Sequence, residues 1–377
     1  MHSGPRIYLD HNASAPLRPE ARDAMAAALD FVGNPSSAHR EGARARALVE
    51  KARADVAALV GAAPAEIVFT SGATEANNLA LRGVRPGALV TTAIEHASVL
   101  ETARALGGRV AIVGVDGSGR VAARDVVAAC TADTTLVSVG LANGEVGSVA
   151  PVAEIAAGLA GLNVLVHTDA AQAAGRMPID VTRLGVDLVS LSAHKLGGAA
   201  GVGALWVRRG VALSPMATGG PQERDRRAGT ENVVGIAGFG AAARAARATL
   251  HDVAARVSSL RARLWDGIRL ALPDAVLNGP ADEPHLPNTL NLSVPGVAGE
   301  SLLVLLDLAG VAASLGSACA AGAPEPSHVL KAMGRTDVEA RNGLRLSLGP
   351  MTTAEDVAYV VETLPRLVAQ IRAGKAA

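Results

Sequence analysis

The stretch EIVFTSGATEANN, residues 66–78, joins a short apolar run directly to small residues that open a helix. The run EIVFT is typical of a strand that is buried on both faces of a sheet. Ser71, Gly72, Ala73 and Thr74 follow at once, and the exposed N–H groups of such a helix start can bind an anion. The stretch therefore predicts a strand–helix unit of an α/β sheet. Its joint is either a phosphate cradle or a plain N-cap made by Ser71 or Thr74.

The same pattern recurs along the next part of the chain. Further short apolar runs alternate with helical segments, and these runs are ALVTT, RVAIV, TTLVSVG, NVLVHTD, DLVSLS and VGALWV. Alternation of this kind predicts a mainly parallel sheet that is wrapped by helices. Before the first strand, residues 41–61 (EGARARALVEKARADVAALVG) predict a helix that stops at its C-terminal glycine.

The order of predicted elements changes after about Val233. A long helical pattern runs to Leu272, and NTLNLSVPG, GVAASLGSAC and GLRLSLG then read as strands with helices between them. This order predicts a smaller α+β domain at the C-terminal end of the chain. We expect a large domain over residues 14–250 and a small domain over residues 251–377, which residues 1–13 join.

Composition limits the class of protein but not its chemistry. Of the 377 residues 49% are hydrophobic, and Lys plus Arg equals Asp plus Glu at 35 each. This charge balance gives no support to a nucleic-acid or anionic-membrane partner. Two cysteines make no disulfide framework, and we find neither a signal pattern nor an apolar run long enough to span a membrane. We therefore expect a globular, cytoplasmic protein.

Lys195 is the most informative side chain, because it follows the strongly apolar run DLVSLS. The other three lysines, Lys51, Lys331 and Lys375, fit solvated positions. In a chain that uses Arg almost everywhere, a Lys at a strand end indicates an amine that must lose its proton, which Arg cannot do. A desolvated Lys is the group that forms a Schiff base.

Two more polar side chains follow predicted strands. Asp169 ends NVLVHTD, where a carboxylate needs a cationic or hydrogen-bonding partner, and His96 follows ALVTT, where a structural role competes with a catalytic one. A pyridoxal phosphate site needs an anion cradle, an acid partner for the pyridine nitrogen, a lysine for the aldehyde and a side chain against the ring. Residues 71–74, Asp169, Lys195 and His96 supply these parts.

Cys319 lies in the loop-like stretch SLGSACAAGAPEPSHVL, residues 314–330. A free cysteine usually packs in a core, as we expect for Cys130. A mobile, small-residue loop instead lets a thiolate reach two different partners in turn, and the thiolate is the nucleophilic form of cysteine. The position of Cys319 therefore indicates a chemical role.

In these motifs the chain resembles the NifS/IscS type of cysteine desulfurase, within the class V aminotransferase group of fold-type I pyridoxal phosphate enzymes. The resemblance runs in order along nearly the whole chain, through YLDHNASAPLRP, GNPSSAHREGARAR, FTSGATEANN, TAIEHASVL, VSVGLANGEVG, HTDAAQ, LSAHKLGG, RRAGTENV, LPNTLNLSVPGV, GSAC and LRLSLG. It implies a homodimer that removes sulfur from L-cysteine, leaves L-alanine, and passes an enzyme persulfide to an acceptor such as an iron–sulfur scaffold protein.

The resemblance also implies a role for each matching residue. Lys195 forms the Schiff base, and Asp169 partners the pyridine nitrogen. Gln172 bonds to the phenolic oxygen, and His96 stacks on the ring and moves protons. Cys319 takes the sulfur and could ligate an iron–sulfur cluster transiently, with no resident metal expected. The remaining implied residues bind the phosphate (Gly72, Ala73, Thr74, Ser192, His194 and, from the other subunit, Thr230) or the substrate carboxylate (Asn143, also near the cofactor, and Arg345).

The chain departs from the family's usual motifs at a few places, which are Gly144, Ala199–Ala200, Pro221 and Pro350. These departures remove no catalytic group, but they leave the paralogue and the sulfur acceptor open. A selenocysteine lyase or another class V aminotransferase would share Lys195 and Asp169, and a non-catalytic adaptor would share the fold. The GSAC motif favours the desulfurase, because a transaminase does not need its cysteine.

Overall fold

The computed structural model describes residues 6–315 and 326–374. Within these ranges the strands are β1 (Ile7–Tyr8), β2 (Ile67–Thr70), β3 (Ala88–Thr92), β4 (Val110–Val113), β5 (Thr134–Ser138), β6 (Leu165–Asp169), β7 (Leu188–Ser192), β8 (Gly203–Val207), β9 (Val276–Leu277), β10 (Thr289–Ser293), β11 (Val311–Ala312) and β12 (Leu344–Ser347). The helices are α1 (Pro19–Leu29), α2 (Arg40–Leu59), α3 (Ala73–Gly83), α4 (Ala97–Ala105), α5 (Ala123–Ala128), α6 (Val152–Gly158), α7 (Val181–Leu184), α8 (Val233–Ala271), α9 (Gly299–Leu308), α10 (His328–Ala332), α11 (Asp337–Arg341) and α12 (Ala354–Arg372).

Strands β2 to β8 form one sheet in the order β2-β8-β7-β6-β5-β3-β4. The predicted mainly parallel α/β sheet is confirmed, because each neighbouring pair is parallel apart from those that involve β8. Strand β8 runs antiparallel to both β2 and β7, which the apolar runs did not indicate. The reason is the short connection: residues 193–202 hold a single 3-10 turn and no crossover helix, which a parallel return would need.

The helix predicted over residues 41–61 is confirmed as α2. Gly61 follows it with a φ of +70°, a left-handed conformation that glycine adopts without strain and that ends the helix. Helix α8 is the long helix predicted after Val233.

The C-terminal part of the chain contains the predicted α+β elements. Strand β10 pairs antiparallel with both β9 and β12. The N-terminal strand β1 pairs in parallel with β11, and Ile7 and Leu9 are buried in the same hydrophobic cluster as Leu264. The N-terminal residues thus pack against elements of this C-terminal part of the chain.

Helix α8 contributes to both hydrophobic cores. Phe239 is buried against the sheet of the larger unit, and Leu264 is buried in the smaller one. These separate cores support our proposal of two domains, over residues 14–250 and over residues 1–13 with 251–377. One continuous helix would then cross the proposed boundary. None of the helices in the described ranges is long and apolar enough to cross a membrane.

The start of β8 packs too tightly for any side chain. A Cβ at Gly203 would lie 2.5 Å from the carbonyl carbon of Gly72 and 2.7 Å from Leu191 O, both of which are backbone atoms of neighbouring segments. We expect Gly203→Ala to lower the free energy of unfolding by about 1–3 kcal/mol, as overpacking does. Chemical denaturation measures this, with Gly114→Ala as the matched control, since a Cβ there meets nothing within 4 Å. A loss at Gly203 no larger than at Gly114 would contradict the packing.

Candidate active site

The predicted site residues of the large domain gather at one edge of the sheet. Asp169 and Ser192 end the neighbouring strands β6 and β7, and His96 directly precedes α4 after β3. Lys195 lies in the turn after β7. The carboxyl ends of parallel strands meet at one edge, which is where α/β sheets bind ligands. The turn between β7 and β8 keeps Lys195 at that edge.

Lys195 Nζ donates to two backbone carbonyls of the N-terminal segment, Asn12 O at 2.5 Å and Ala13 O at 2.9 Å. Burial, together with the nearby cations Arg176 and Arg345, lowers the pKa of Lys195 to about 8. Burial lowers the pKa because it removes water from the ammonium, and two neutral carbonyls replace that water only in part. A usable fraction of the amine is therefore neutral near pH 7, as a nucleophilic lysine requires.

Asp169 and His96 are joined by one hydrogen-bond chain. Asn77 Nδ2 donates to Asp169 Oδ2 at 2.7 Å and to Ser98 Oγ at 2.9 Å, and Ala171 N donates to Asp169 Oδ1 at 2.9 Å. Ser98 N donates to His96 Nδ1 at 3.1 Å. Because Nδ1 accepts this bond, the proton of the neutral imidazole lies on Nε2. Asn77 thus holds both groups at once, and its place in FTSGATEANN was the one signal for it in the sequence.

The joint between β2 and α3 fits an anion. Gly72 has φ +157°, and a Cβ built on it would meet nothing within 4 Å, so the space before the helix is open. Gly72, which has no side chain, occupies the N-cap position of α3 in place of Ser71 or Thr74, and the first-turn N–H groups therefore have no side-chain cap from this position. The alternative of a plain N-cap by Ser71 or Thr74 is therefore wrong.

Of two more residues predicted to bind phosphate, Ser192 lies beside this joint and His194 lies in the turn after β7. Ser192, buried at the end of β7, pairs with Gly203, and Gly203 also pairs with Thr70 at the end of β2. His194 contacts Ser14, with 3.3 Å between Nδ1 and Oγ. Burial and the cations Lys195 and Arg176 lower the pKa of His194 to about 4, so the ring is neutral at pH 7.

Asn12 is a functional residue that sequence reasoning missed. Only 1% of it is exposed, and its Nδ2 donates to Gly144 O at 2.9 Å and to Thr289 Oγ1 at 2.8 Å. Its carbonyl accepts from Gln172 Nε2 at 3.0 Å as well as from Lys195. The motif YLDHNASAPLRP contained the residue, but these contacts are too distant in sequence to predict.

Gln172 is the residue predicted to bond to the phenolic oxygen. Besides its bond to Asn12, its Oε1 accepts from Arg176 Nη1. The same Arg176 Nη1 also donates to the backbone O of Gln172 at 2.8 Å, so Asn12 and Arg176 together hold the side-chain amide in place. A Cβ at Gly144 would lie 2.5 Å from Gln172 Cδ. The departure from the family pattern at Gly144 therefore makes room for this placement of Gln172.

The two residues predicted to bind the substrate carboxylate differ in their surroundings. Arg345 is buried and pairs with Asp10, with Nη2 to Oδ1 at 2.8 Å, and its Nη1 reaches Gly144 O at 3.3 Å. Asn143 holds its own turn: its Oδ1 accepts from Glu145 N at 2.8 Å, and its Nδ2 donates to Ile94 O at 2.9 Å. A role for Asn143 in substrate binding would have to use its second amide hydrogen.

Two predicted residues lie apart from this cluster. Thr230 is exposed on the segment that precedes α8. Cys319 and the rest of the GSAC motif lie outside the described residues.

Known proteins resemble this chain along nearly its whole length. The family model described as aminotransferase class-V matches residues 7–360. The chain is similar to the cysteine desulfurase IscS of Dictyoglomus turgidum, with 41% identity over 376 residues that cover 97% of this chain and 95% of the relative. It is also similar to the IscS-like cysteine desulfurase of Mycobacterium tuberculosis, with 41% identity and 97% of each chain covered.

Solved structures agree with these sequence relatives. A NifS-like protein matches with a TM-score of 0.90 and 37% identity, covering 97% of this chain and 99% of its own. A structure of SspA in complex with cysteine matches with a TM-score of 0.80 and 32% identity, covering 92% of this chain and 100% of its own. The resemblance inferred from the motifs is confirmed.

The surroundings of Lys195 predict how its amine titrates. We expect acetic anhydride to label Lys195 of the cofactor-free protein with a midpoint near pH 8, because burial and neighbouring cations lower the pKa to about 8. An ordinary lysine amine titrates at about 10.4, which a lysine model peptide in the same reaction provides as the control. Mass spectrometry of the Lys195 peptide measures the profile. A midpoint equal to that of the model peptide would contradict the described environment.

Proposed function

Because the chain belongs to the aminotransferase class-V family and is a pyridoxal-phosphate-dependent cysteine desulfurase, we propose that Lys195 binds the cofactor and that Cys319 accepts the sulfur. The observation that carries the site assignment is the amine of Lys195, which is half neutral near pH 8 and is held at the sheet edge with Asp169. The cofactor's other contacts would come from residues that already surround this edge.

The described residues fit the cofactor part by part. The open, uncapped start of α3 would take the phosphate, with Ser192 and His194 beside it. Asp169 would face the pyridine nitrogen, and Gln172 the phenolic oxygen. Pyridoxal phosphate, when bound, draws electrons from the amino acid's Cα and weakens the bonds there.

His96 and Lys195 would move the protons of the reaction. The bond from Ser98 N to His96 Nδ1 leaves Nε2 as the nitrogen that carries and exchanges a proton. Lys195, with a pKa of about 8, can accept a proton as an amine and return it as an ammonium near neutral pH. Asn77 would hold His96 and Asp169 in fixed relative positions through its bonds to Ser98 and to Asp169.

Arg345 would bind the carboxylate of L-cysteine. Guanidinium groups bind carboxylates through paired N–H bonds, and Arg345 is held against Asp10 and Gly144 O in a buried position. Asp10 keeps the cation from being buried without a partner before substrate arrives. We propose that Asn143 assists from the neighbouring turn.

Cys319 would complete the reaction as a nucleophile. Its thiolate attacks the substrate sulfur, so that an S–S bond forms while the substrate C–S bond breaks. The electron pair of that C–S bond stays on carbon, which takes a proton and becomes L-alanine. The sulfur leaves Cys319 when an acceptor thiolate attacks the persulfide, so no external oxidant is needed.

We propose a sulfur-acceptor protein such as an iron–sulfur scaffold as the partner, as the resemblance implies. A selenocysteine lyase stays the alternative, because it would use the same Lys195 and Asp169. The cytoplasmic location expected from the composition remains a prediction.

The sulfur step can be tested with the two cysteines of the chain. We expect Cys319→Ser to bind cofactor and L-cysteine but to release almost no sulfide, because a serine hydroxyl stays protonated at neutral pH. Cys130→Ser is the matched control and should keep wild-type activity, since burial raises the pKa of the Cys130 thiol and disfavours its thiolate. Sulfide release and persulfide mass spectrometry at equal cofactor occupancy measure both. Wild-type sulfide release by Cys319→Ser would rule out this role.

The proposed homodimer, in which Thr230 reaches the partner's phosphate site, predicts complementation. Lys195→Ala and Thr230→Ala proteins should each be weakly active alone. Mixed dimers should regain activity, because one of their two sites then combines an intact Lys195 with an intact Thr230 from the other chain. Activity after mixing and subunit exchange measures this. If Thr230 served its own subunit, no mixed site would be intact and mixing would restore nothing.

A further inference from the structure

The geometry points to Glu75 and Arg227 as a charge pair that sets the affinity for the cofactor's phosphate. This inference rests on the proposed phosphate site at the start of α3. Glu75 is the third residue of that helix, and its Oε2 accepts from Ser71 N at 2.7 Å, so the carboxylate folds back over the helix start. Arg227 meets it from another segment, with Nε to Oε1 at 2.9 Å and Nη2 to Oε2 at 3.3 Å.

The carboxylate is charged in this position. Burial would raise the pKa of Glu75, but hydrogen bonds from Arg227 and Ser71 outweigh it and hold the pKa below its usual range. The two side chains are 25% and 13% exposed for Arg227 and Glu75, so water screens the pair only in part.

A carboxylate at this place has two opposing effects. It is favourable for the helix dipole, which attracts negative charge at the N-terminus. The same charge repels a phosphate dianion that would bind to the first-turn N–H groups. Arg227 cancels this repulsion by bringing one positive charge to Glu75. The pair is therefore neutral only while the segment that carries Arg227 is docked.

That docking is built into the fold by a second, buried ion pair. Glu223 accepts from Arg53 Nη1 at 2.7 Å and from Arg53 Nη2 at 2.8 Å, and its Oε2 also accepts from Phe69 N at 2.8 Å, in β2. Three consecutive residues here, Glu223, Arg224 and Asp225, have φ of 48°, 58° and 62°. Non-glycine residues adopt this left-handed conformation only when their surroundings enforce it.

The segment of residues 223–227 thus has two roles. Glu223 anchors it beside the last residues of β2, and Arg227 contacts Glu75 at the start of α3. Thr230 follows three residues later and, in the proposed dimer, belongs to the partner's phosphate site. Arg227 and Glu75 act as positioning residues, since the proposal gives neither of them a bond to the phosphate.

The test separates the phosphate from the rest of the cofactor. Pyridoxal 5′-phosphate and pyridoxal share the aldehyde and ring, so the ratio of their affinities for the full-length, cofactor-free protein reports on the phosphate alone. Absorbance or fluorescence titration of each variant gives this ratio. A merely structural role of the pair would change both affinities together and leave the ratio constant.

The net charge of the Glu75–Arg227 pair predicts the order of the affinity ratios among the variants. Arg227→Gln leaves an unpaired carboxylate, and the ratio should fall about tenfold. Glu75→Gln keeps an acceptor for Ser71 N but leaves an unpaired cation, and the ratio should rise. The double variant is neutral again and should return to within about threefold of wild type. Arg244→Gln, which breaks the ion pair with Asp55 at 2.6 Å between α8 and α2, is the control and should not change the ratio.

Two results would overturn the inference. One is a wild-type ratio in Arg227→Gln, and the other is a double variant as weak as Arg227→Gln, which would mean that Arg227 contacts the phosphate itself. If Arg227→Gln does not fold, a Glu75→Gln protein with a lowered ratio would overturn it as well. Failure of the proposed phosphate site is a distinct outcome, because wild-type protein would then bind pyridoxal as tightly as its phosphate.

Discussion

Asn12 connects the smaller hydrophobic core of the molecule to Lys195 at the edge of the large sheet. Its backbone N–H donates to Ser347 Oγ at 3.0 Å, and its side chain bonds to Thr289, both in the smaller unit. Its carbonyl accepts from Lys195 Nζ, which follows β7 of the large sheet. Because the residue is almost fully buried, each of these bonds replaces one with water, and losing any of them would leave a buried polar group unsatisfied.

This constraint explains the chemistry of the lysine. The N-terminal segment pairs with β11 through β1 and so brings the carbonyls of Asn12 and Ala13 to Lys195 at the sheet edge. Carbonyls solvate an ammonium less well than water, and the effect of burial and of the cations Arg176 and Arg345 exceeds that of the carboxylates Asp169 and Asp10. The amine therefore loses its proton more easily than an exposed lysine. The same N-terminal segment carries Asp10, which pairs with Arg345 of β12, and Arg345 also reaches Gly144 O.

The sequence could predict the sheet and the residues at its edge, because both depend on short patterns. Apolar runs gave strands β2 to β8, and the polar residues after them include Lys195, Asp169 and His96. The antiparallel direction of β8 was not predicted, since it depends on the length of one connection. Asn12, Asn77 and Arg227 were missed because their contacts join segments far apart in the chain.

Lys195 is the residue on which the proposed chemistry depends most, because we propose that it binds the cofactor. Borohydride reduction of the holoenzyme, followed by peptide mass spectrometry, tests it directly, because reduction fixes pyridoxal phosphate to the lysine that holds it. We expect the pyridoxyl group on the Lys195 peptide and none on the peptides of Lys51, which is exposed on α2, or of Lys331, which pairs with Asp337. Stoichiometric labelling of another lysine, with Lys195 unmodified, would contradict the account.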